Sequence, residues 1–165
     1  MVNQEVVFKR LSRELEILLK KYKKVLVFRT NDDDTNILIN LSSTLNIKIL
    51  LSDINNNNYY PFIVPLTYIN DIKYDFYINN FSRKYLNLIN ILDIPCPCCF
   101  SIISSLYINW TPCFTLDKII DEYIYNLKLF NILIKLNYIR LYLNFTFKHI
   151  DNKFILKNIY NYLEF

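Results

Sequence analysis

The chain lacks two of the commonest amino acids: its 165 residues include no glycine and no alanine. Without glycine, the sequence excludes a P-loop, a G-x-G-x-x-G dinucleotide turn, a nucleophile elbow and an EF-hand loop, because each of these sites needs glycine at a fixed position. Isoleucine, with 25 residues, and asparagine, with 22, take much of the missing share. This bias is typical of an AT-rich genome, since glycine and alanine codons are rich in G and C.

Histidine and long apolar runs are also scarce. The only histidine, His149, excludes metal and catalytic sites that need two imidazoles, and a single histidine near a helix end is usually structural. No segment reaches 18 apolar residues without a charge or an asparagine, so no transmembrane helix is predicted. Residues 1–13 are charged from Glu5 onward and lack the apolar stretch of a secretory signal. We therefore expect a cytoplasmic protein without a membrane partner.

The positive charge of the chain is concentrated in its first segment. The net charge is +4, yet residues 1–30 carry eight Lys/Arg and three Asp/Glu, while the other 135 residues carry 11 and 12. This basic surplus fits either a solvated helix face or a docking surface for an acidic partner. A nucleic-acid partner is not favoured, because the surplus is modest and no RNA-binding motif accompanies it. The mass of 20.0 kDa predicts one domain over residues 1–165.

Hydrophobic spacing predicts the order of the elements. Apolar residues three and four apart indicate an amphipathic helix over about residues 3–22. Three short β-type runs separated by polar turns then predict an antiparallel meander, at 24–29, 36–40 and 46–52. The segment 61–71 is expected to be extended, because a proline lies at its start and another at position 65.

The second half of the chain predicts helices around a cysteine-bearing loop. Residues 74–92 give a mixed signal that favours a helix at its end, and Pro95 and Pro97 predict an extended or irregular segment over 94–99. Helical spacing returns over 116–127, 129–148 and 155–163. The fold class is therefore α+β, with an N-terminal helix, an antiparallel β-meander, a cysteine-bearing loop and C-terminal helices.

The potentially reactive side chains are most concentrated in Cys96-Pro97-Cys98-Cys99, and Cys113 follows fourteen residues after Cys99. In a reducing compartment these cysteines are thiols or metal ligands rather than disulfides. Three roles stay open: a nucleophilic thiolate that forms a thioester, a zinc site, or small buried thiols of the core. The zinc site would use Cys96, Cys98, Cys99 and Cys113, although C-x-C-C differs from the usual C-x2-C spacing of zinc ligands.

Three motifs follow one another along the middle part of the chain. Tyr60-Pro61-Phe62-Ile63-Val64-Pro65 comes after a strand and resembles the Y-P-F-x-x-P of ubiquitin-conjugating enzymes, in which the three motifs occur in the same order; RWD domains share the first of them. Cys99-Phe100-Ser101-Ile102-Ile103 resembles the active-site strand, and Trp110-Thr111-Pro112 with Thr115-Leu116 resembles the W-S-P-x-x-T-[LI] signature. The chain is similar to the family over about its full length, and to divergent members from large DNA viruses of AT-rich genomes.

The resemblance implies the fold of ubiquitin-conjugating enzymes, here called the UBC-like fold, and a mechanism. Cys99, with Cys98 as the second candidate, would take ubiquitin from the activating enzyme as a thioester and pass it to a substrate lysine. No small cofactor is implied, and the location would be the host cytoplasm or the virion if the source is viral. The basic helix would face the activating enzyme through Lys9, Arg10 and Arg13. The structural motif residues would be Tyr60, Pro61, Phe62, Pro65, Trp110 and Pro112, with Tyr60 and Phe62 packed beneath the turn.

Two features of that family are missing from the sequence. No His-Pro-Asn motif occurs in residues 79–95, ahead of the cysteine, and no glycine precedes the cysteine. A second interpretation therefore stays open: a catalytically inactive UBC-fold or RWD-fold module that binds other proteins or has a structural role. Asparagine is expected to replace glycine in left-handed turns, at Asn31, at 55–58 and at Asn79-Asn80.

Overall fold

A computed structural model describes residues 4–22, 24–29, 35–41, 45–53, 58–104, 109–146 and 152–164. Within these described residues, the first half of the chain contains one helix and seven strands. Their bounds are α1 (Gln4–Lys21), β1 (Val25–Arg29), β2 (Thr35–Asn40), β3 (Asn46–Leu50), β4 (Ser52–Asp53), β5 (Asn58–Tyr59), β6 (Leu66–Ile69) and β7 (Ile72–Lys73). The second half is helical. Its bounds are α2 (Tyr74–Lys84), α3 (Leu86–Leu92), α4 (Pro97–Phe100), α5 (Leu116–Thr146) and α6 (Asn152–Glu164).

The five-stranded sheet is antiparallel and has the order β1-β2-β3-β6-β7, while β4 and β5 pair separately. Ile37 lies opposite Ile49, and Ile39 lies opposite Ile47, and all four side chains are fully buried. Alternating isoleucines on neighbouring strands thus form one apolar face, as period-two patterning requires. The predicted α+β class, the N-terminal helix and the antiparallel meander are confirmed.

The hairpin between β6 and β7 shows how the chain turns without glycine. Asn70 and Asp71 have φ angles of 46° and 65°, as the two central residues of a type I′ turn require. The backbone N–H of Asn46 also donates to Asn70 Oδ1 at 2.9 Å, so the asparagine fixes the neighbouring strand. The prediction of left-handed turns at Asn79-Asn80 is wrong, because both residues lie inside α2. The predicted turns at Asn31 and 55–57 lie outside the described residues, and Asn58 belongs to β5.

The helical half differs from the prediction at two places. Residues 74–92 form two successive helices, α2 and α3, rather than a helix at their end alone. The prediction of an extended or irregular segment over 94–99 is wrong from Pro97 onward, because Pro97 begins α4. Proline fits the first turn of a helix, since the N–H that it lacks has no partner in the helix. The predicted helices over 116–148 are one helix as far as Thr146, and α6 covers the predicted closing helix.

A single cluster of buried side chains joins the sheet to the helices. Phe81 of α2 stacks on Phe130 of α5 with ring centroids 3.7 Å apart, and Tyr74 meets Tyr123 edge to face at 5.6 Å. These aromatic contacts attach α2 to α5. Among the described residues, no helix combines the length and the apolar character that crossing a bilayer needs.

Candidate functional site

The cysteine segment lies between α3 and α5 and is bent back into one helical turn. Asp93, with a φ of 59°, ends α3 in the left-handed conformation, and Pro97 then begins α4. The backbone N–H of Cys99 donates to the Cys96 carbonyl at 3.1 Å. This turn brings three half-buried sulfurs together: Cys96 Sγ lies 3.1 Å from Cys98 Sγ, which lies 3.8 Å from Cys99 Sγ.

The environments of the thiols differ. The pKa of Cys98 is raised to about 12, mainly by burial and to a smaller extent by hydrogen bonding with Cys96. Burial also acts to raise the pKa of Cys96, but hydrogen bonds from the Cys98 thiol and from nearby backbone amides outweigh it and lower that pKa. Cys96 is therefore the more acidic thiol of this pair.

The fourth cysteine lies apart from the other three. The sulfurs of Cys96, Cys98 and Cys99 all lie within 4.8 Å of one another, whereas Cys113 is exposed and is not part of this group. The structure thus brings together three of the four cysteines considered for a zinc site. The single histidine, His149, falls outside the described residues.

Asn109 fixes the backbone at the end of the cysteine segment. Its side-chain amide donates to the Cys99 carbonyl at 2.9 Å and to the Ser101 carbonyl at 3.0 Å. The Cys99 carbonyl lies in the last turn of α4, where helix carbonyls lack an intrahelical partner, and Ser101 follows that turn directly. The sequence did not identify this residue as part of a site, although it stands directly before Trp110 of the motif.

Glu122 of α5 holds the same segment from the other side. One of its carboxylate oxygens accepts from the Ser101 hydroxyl at 2.6 Å, and the other accepts from the Ile102 N–H at 2.8 Å. The Tyr74 hydroxyl also donates to Glu122 at 3.3 Å and accepts from the Asn126 amide at 2.7 Å. Burial raises the pKa of Glu122 despite these donors. The carboxylate therefore positions the segment, and nothing in its sequence surroundings marked it for this role.

A second polar network joins α1, the Tyr60 turn and the start of α5. Tyr60 Oη lies 2.5 Å from Glu14 Oε2, which also accepts from the Leu116 N–H at 2.9 Å. Arg10 Nε donates to the other carboxylate oxygen of Glu14 at 2.7 Å. A carboxylate at the first turn of α5 satisfies a free backbone N–H and interacts favourably with the helix dipole.

The three basic residues predicted to bind a partner differ in orientation. Arg10 points inward, where it donates to the Phe114 carbonyl at 2.6 Å and to the Pro112 carbonyl, and its guanidinium lies 5.4 Å from the centroid of the Tyr60 ring. Lys9 and Arg13 are exposed, and Lys9 pairs with Glu5 at 2.6 Å. The part of the predicted docking surface that is open to solvent therefore consists of Lys9 and Arg13.

The motif residues around Tyr60 are hydrogen-bonded to Trp110. The buried Trp110 donates from Nε1 to the Pro61 carbonyl at 2.8 Å, and the Tyr60–Pro61 peptide is cis. Pro61 and Pro65 are buried, as is Tyr60, whereas the Phe62 side chain is 53% exposed and Pro112 is exposed. The expectation that Phe62 packs beneath the turn is therefore wrong: the turn directs it to solvent, while Tyr60 reaches the core.

These observations define an α+β protein with a three-thiol segment held between Asn109 and Glu122. No family model, no curated protein and no solved structure matches this chain. The contacts that carry a functional proposal are therefore those of the segment itself: a half-buried thiol at Cys99, a neighbouring thiol at Cys96 whose pKa is lowered, and a backbone fixed on both sides.

Proposed function

We propose that this protein is a divergent UBC-like acyl carrier that takes ubiquitin as a thioester on Cys99 and passes it to a lysine. The single observation that carries the proposal is the position of Cys99 at the end of α4, half-buried and with its own carbonyl fixed by the Asn109 amide. A nucleophile must be accessible and held in place for a partner to reach it. The order of the three motifs in the sequence supports the same assignment.

In both transfer steps the only reacting group of this chain is a cysteine thiol. The Cys99 sulfur attacks the carbonyl carbon of ubiquitin held as a thioester on the activating enzyme, and the thiolate of that enzyme leaves. A lysine amine then attacks the new thioester, and the Cys99 thiolate leaves as the amide bond forms. The Cys99 proton passes to the departing thiolate of the activating enzyme in the first step, and the proton of the lysine amine passes to the departing Cys99 thiolate in the second. Cys98 is disfavoured as the carrier, because its raised pKa keeps it protonated at neutral pH.

The adduct assay tests the proposal. The chain is incubated with ubiquitin, activating enzyme and ATP, and we expect a ubiquitin adduct that resists denaturant and is released by reductant. Cys99→Ala abolishes the adduct, whereas the matched variant Cys113→Ala, at the exposed cysteine outside the cluster, retains it. The absence of any adduct, or an adduct that Cys99→Ala leaves unchanged, contradicts the proposal.

A second candidate function is a catalytically inactive interaction or structural module of the same fold. It is favoured by α3, which occupies Leu86–Leu92, within the stretch where the family has its His-Pro-Asn motif. The sequence of this helix contains neither histidine nor proline, so it cannot supply that motif. This candidate predicts that Cys99→Ala changes neither partner binding nor stability by more than about 0.5 kcal/mol, as is usual for a small change outside a functional site.

A further inference from the structure

The spacing of the three sulfurs suits a metal ion as well as an acyl group. In a tetrahedral zinc–thiolate site the Zn–S bonds are about 2.3 Å, which places the sulfurs about 3.8 Å apart. Cys98 Sγ lies 3.8 Å from Cys99 Sγ and 3.1 Å from Cys96 Sγ, and the three sulfurs lie within 4.8 Å of one another. Small side-chain rotations therefore suffice to give the metal-bound distances.

We propose that Cys96, Cys98 and Cys99 form a three-thiolate site for a soft d10 cation, Zn²⁺ or Cu⁺. Thiolates are the ligands that select these ions over hard cations. Among the described residues, no other cysteine, histidine or carboxylate joins the three sulfurs within the same distance. The protein thus supplies three ligands, which leaves a fourth position of Zn²⁺ open to solvent or completes a trigonal site for Cu⁺.

The backbone around the three cysteines is fixed before any metal arrives. Pro97 restricts the first turn of α4, and the Cys99 N–H donates back to Cys96. Asn109 holds the Cys99 and Ser101 carbonyls, and Glu122 holds the Ser101 hydroxyl. A site built on fixed backbone loses little conformational entropy when the metal binds.

A buried hydroxyl beside the cluster provides independent support. Ser82 of α2 is 1% exposed, and within the described part of the chain its Oγ makes no hydrogen bond of normal geometry. The same hydroxyl lies close to Cys98. A metal-bound Cys98 thiolate would give this hydroxyl an acceptor, as groups around a metal site commonly do for the ligands.

Metal binding goes beyond the proposed function and does not rest on it. Coordination replaces the thiol protons of Cys96, Cys98 and Cys99 by the metal, and these protons pass to the buffer. A Cys99 thiolate bound to the metal donates electron density to the cation, so it is a weaker nucleophile toward a thioester. If the protein has both activities, the metal and ubiquitin compete for Cys99. Metal binding is measured without ubiquitin, so its result is independent of the proposed function.

The direct test is a metal titration of the reduced, metal-free full chain. Zn²⁺ is added in competition with a chromophoric chelator, and Cu⁺ is added in a separate anaerobic titration with a Cu⁺-specific chelator. We expect one equivalent of at least one ion, an affinity about tenfold lower in Ser82→Ala, and a larger loss in Cys98→Ser. Cys113→Ser is the matched control and retains the affinity. Failure of both ions to bind, or loss of binding in Cys113→Ser, overturns the proposal.

A measurement on the unmodified protein avoids any effect of the substitutions on folding. The native chain is alkylated with and without metal, and each cysteine peptide is quantified by mass spectrometry. We expect metal to slow the labelling of Cys96, Cys98 and Cys99 at least about tenfold and to leave Cys113 unchanged. Equal labelling with and without metal at all four cysteines overturns the site, whatever the result of the ubiquitin assay.

Discussion

The Tyr60 hydroxyl lies 2.5 Å from the Glu14 carboxylate, so the motif turn is bonded directly to the N-terminal helix. Burial is the main reason that the pKa of Tyr60 is raised, which keeps the hydroxyl protonated as a donor. Glu14 is itself 5% exposed and also accepts from the Leu116 N–H. One buried carboxylate therefore joins α1, the Tyr60–Pro61 turn and the start of α5, the elements on either side of the cysteine segment.

Removing this hydroxyl is expected to destabilise the protein. Tyr60→Phe keeps the ring but deprives Glu14 of a donor, and we expect a loss of about 1–3 kcal/mol in the free energy of unfolding. Tyr138→Phe is the control, because Tyr138 is 70% exposed on α5 and should change stability by less than about 0.5 kcal/mol. The measurement is urea denaturation, and equal midpoints for the two variants would contradict the role of the bond.

Asn109 is expected to support the geometry of the cysteine segment. Asn109→Ala leaves the Cys99 and Ser101 carbonyls without their amide donor, and we expect a loss of about 1–3 kcal/mol in stability. The same variant should alter the rate at which Cys99 is alkylated in the native protein. Asn131→Ala, at an exposed position of α5, should change neither quantity. Identical alkylation of Cys99 in both variants would show that Asn109 does not position it.

The stability of the protein should depend on the ionisation of Glu122. Burial raises its pKa in the folded state above the ordinary value of 4.5, so the native protein holds this proton more tightly than the unfolded chain does. The contribution of Glu122 to stability is therefore fully present below about pH 4.5 and is lost as the pH rises through the folded pKa.

Glu122→Gln removes this titration and isolates its contribution. We expect the difference in unfolding free energy between the wild type and the variant to change above about pH 4.5 and to become constant above the folded pKa. The direction is fixed: relative to Glu122→Gln, the wild type loses stability as the pH rises. Denaturation midpoints over a pH series provide the measurement, and parallel curves for the two proteins would refute the raised pKa.

The thiols of Cys96 and Cys98 should react at different rates. The lowered pKa of Cys96 makes more thiolate at neutral pH than the pKa of about 12 allows at Cys98. Brief treatment with iodoacetamide should therefore label Cys96 well before Cys98, with the exposed Cys113 as an internal reference. Peptide mass spectrometry gives the order, and faster labelling of Cys98 than of Cys96 would reverse the assignment.

Hydrophobic spacing predicted the elements whose apolar face packs on the core. In α1, Leu11, Leu15 and Leu18 recur at helical spacing, and in β2 and β3 isoleucines recur at every second residue. The same reasoning failed for α2, where Asn79 and Asn80 have low helix propensity and the helix is held by Phe81 stacking on Phe130. This contact is tertiary, so the local sequence does not show it.

The site was predictable only in part for the same reason. The cysteine cluster is visible in the sequence, but the approach of its three sulfurs depends on a helical turn that Pro97 begins rather than prevents. Asn109 and Glu122 reach the segment from ten or more residues away, and Arg10 is drawn inward by carbonyls about a hundred residues further on. Such contacts exist only once the helices have packed.

Mapping the modified cysteine tests most directly whether Cys99 carries an acyl group, as we propose. The protein is charged with ubiquitin by the activating enzyme and ATP, the free thiols are blocked, and the thioester is cleaved with hydroxylamine before the newly freed cysteine is labelled. We expect the second label on Cys99 in the wild type and in Cys113→Ala. A second label on Cys113 alone, or on no cysteine, would contradict the proposal.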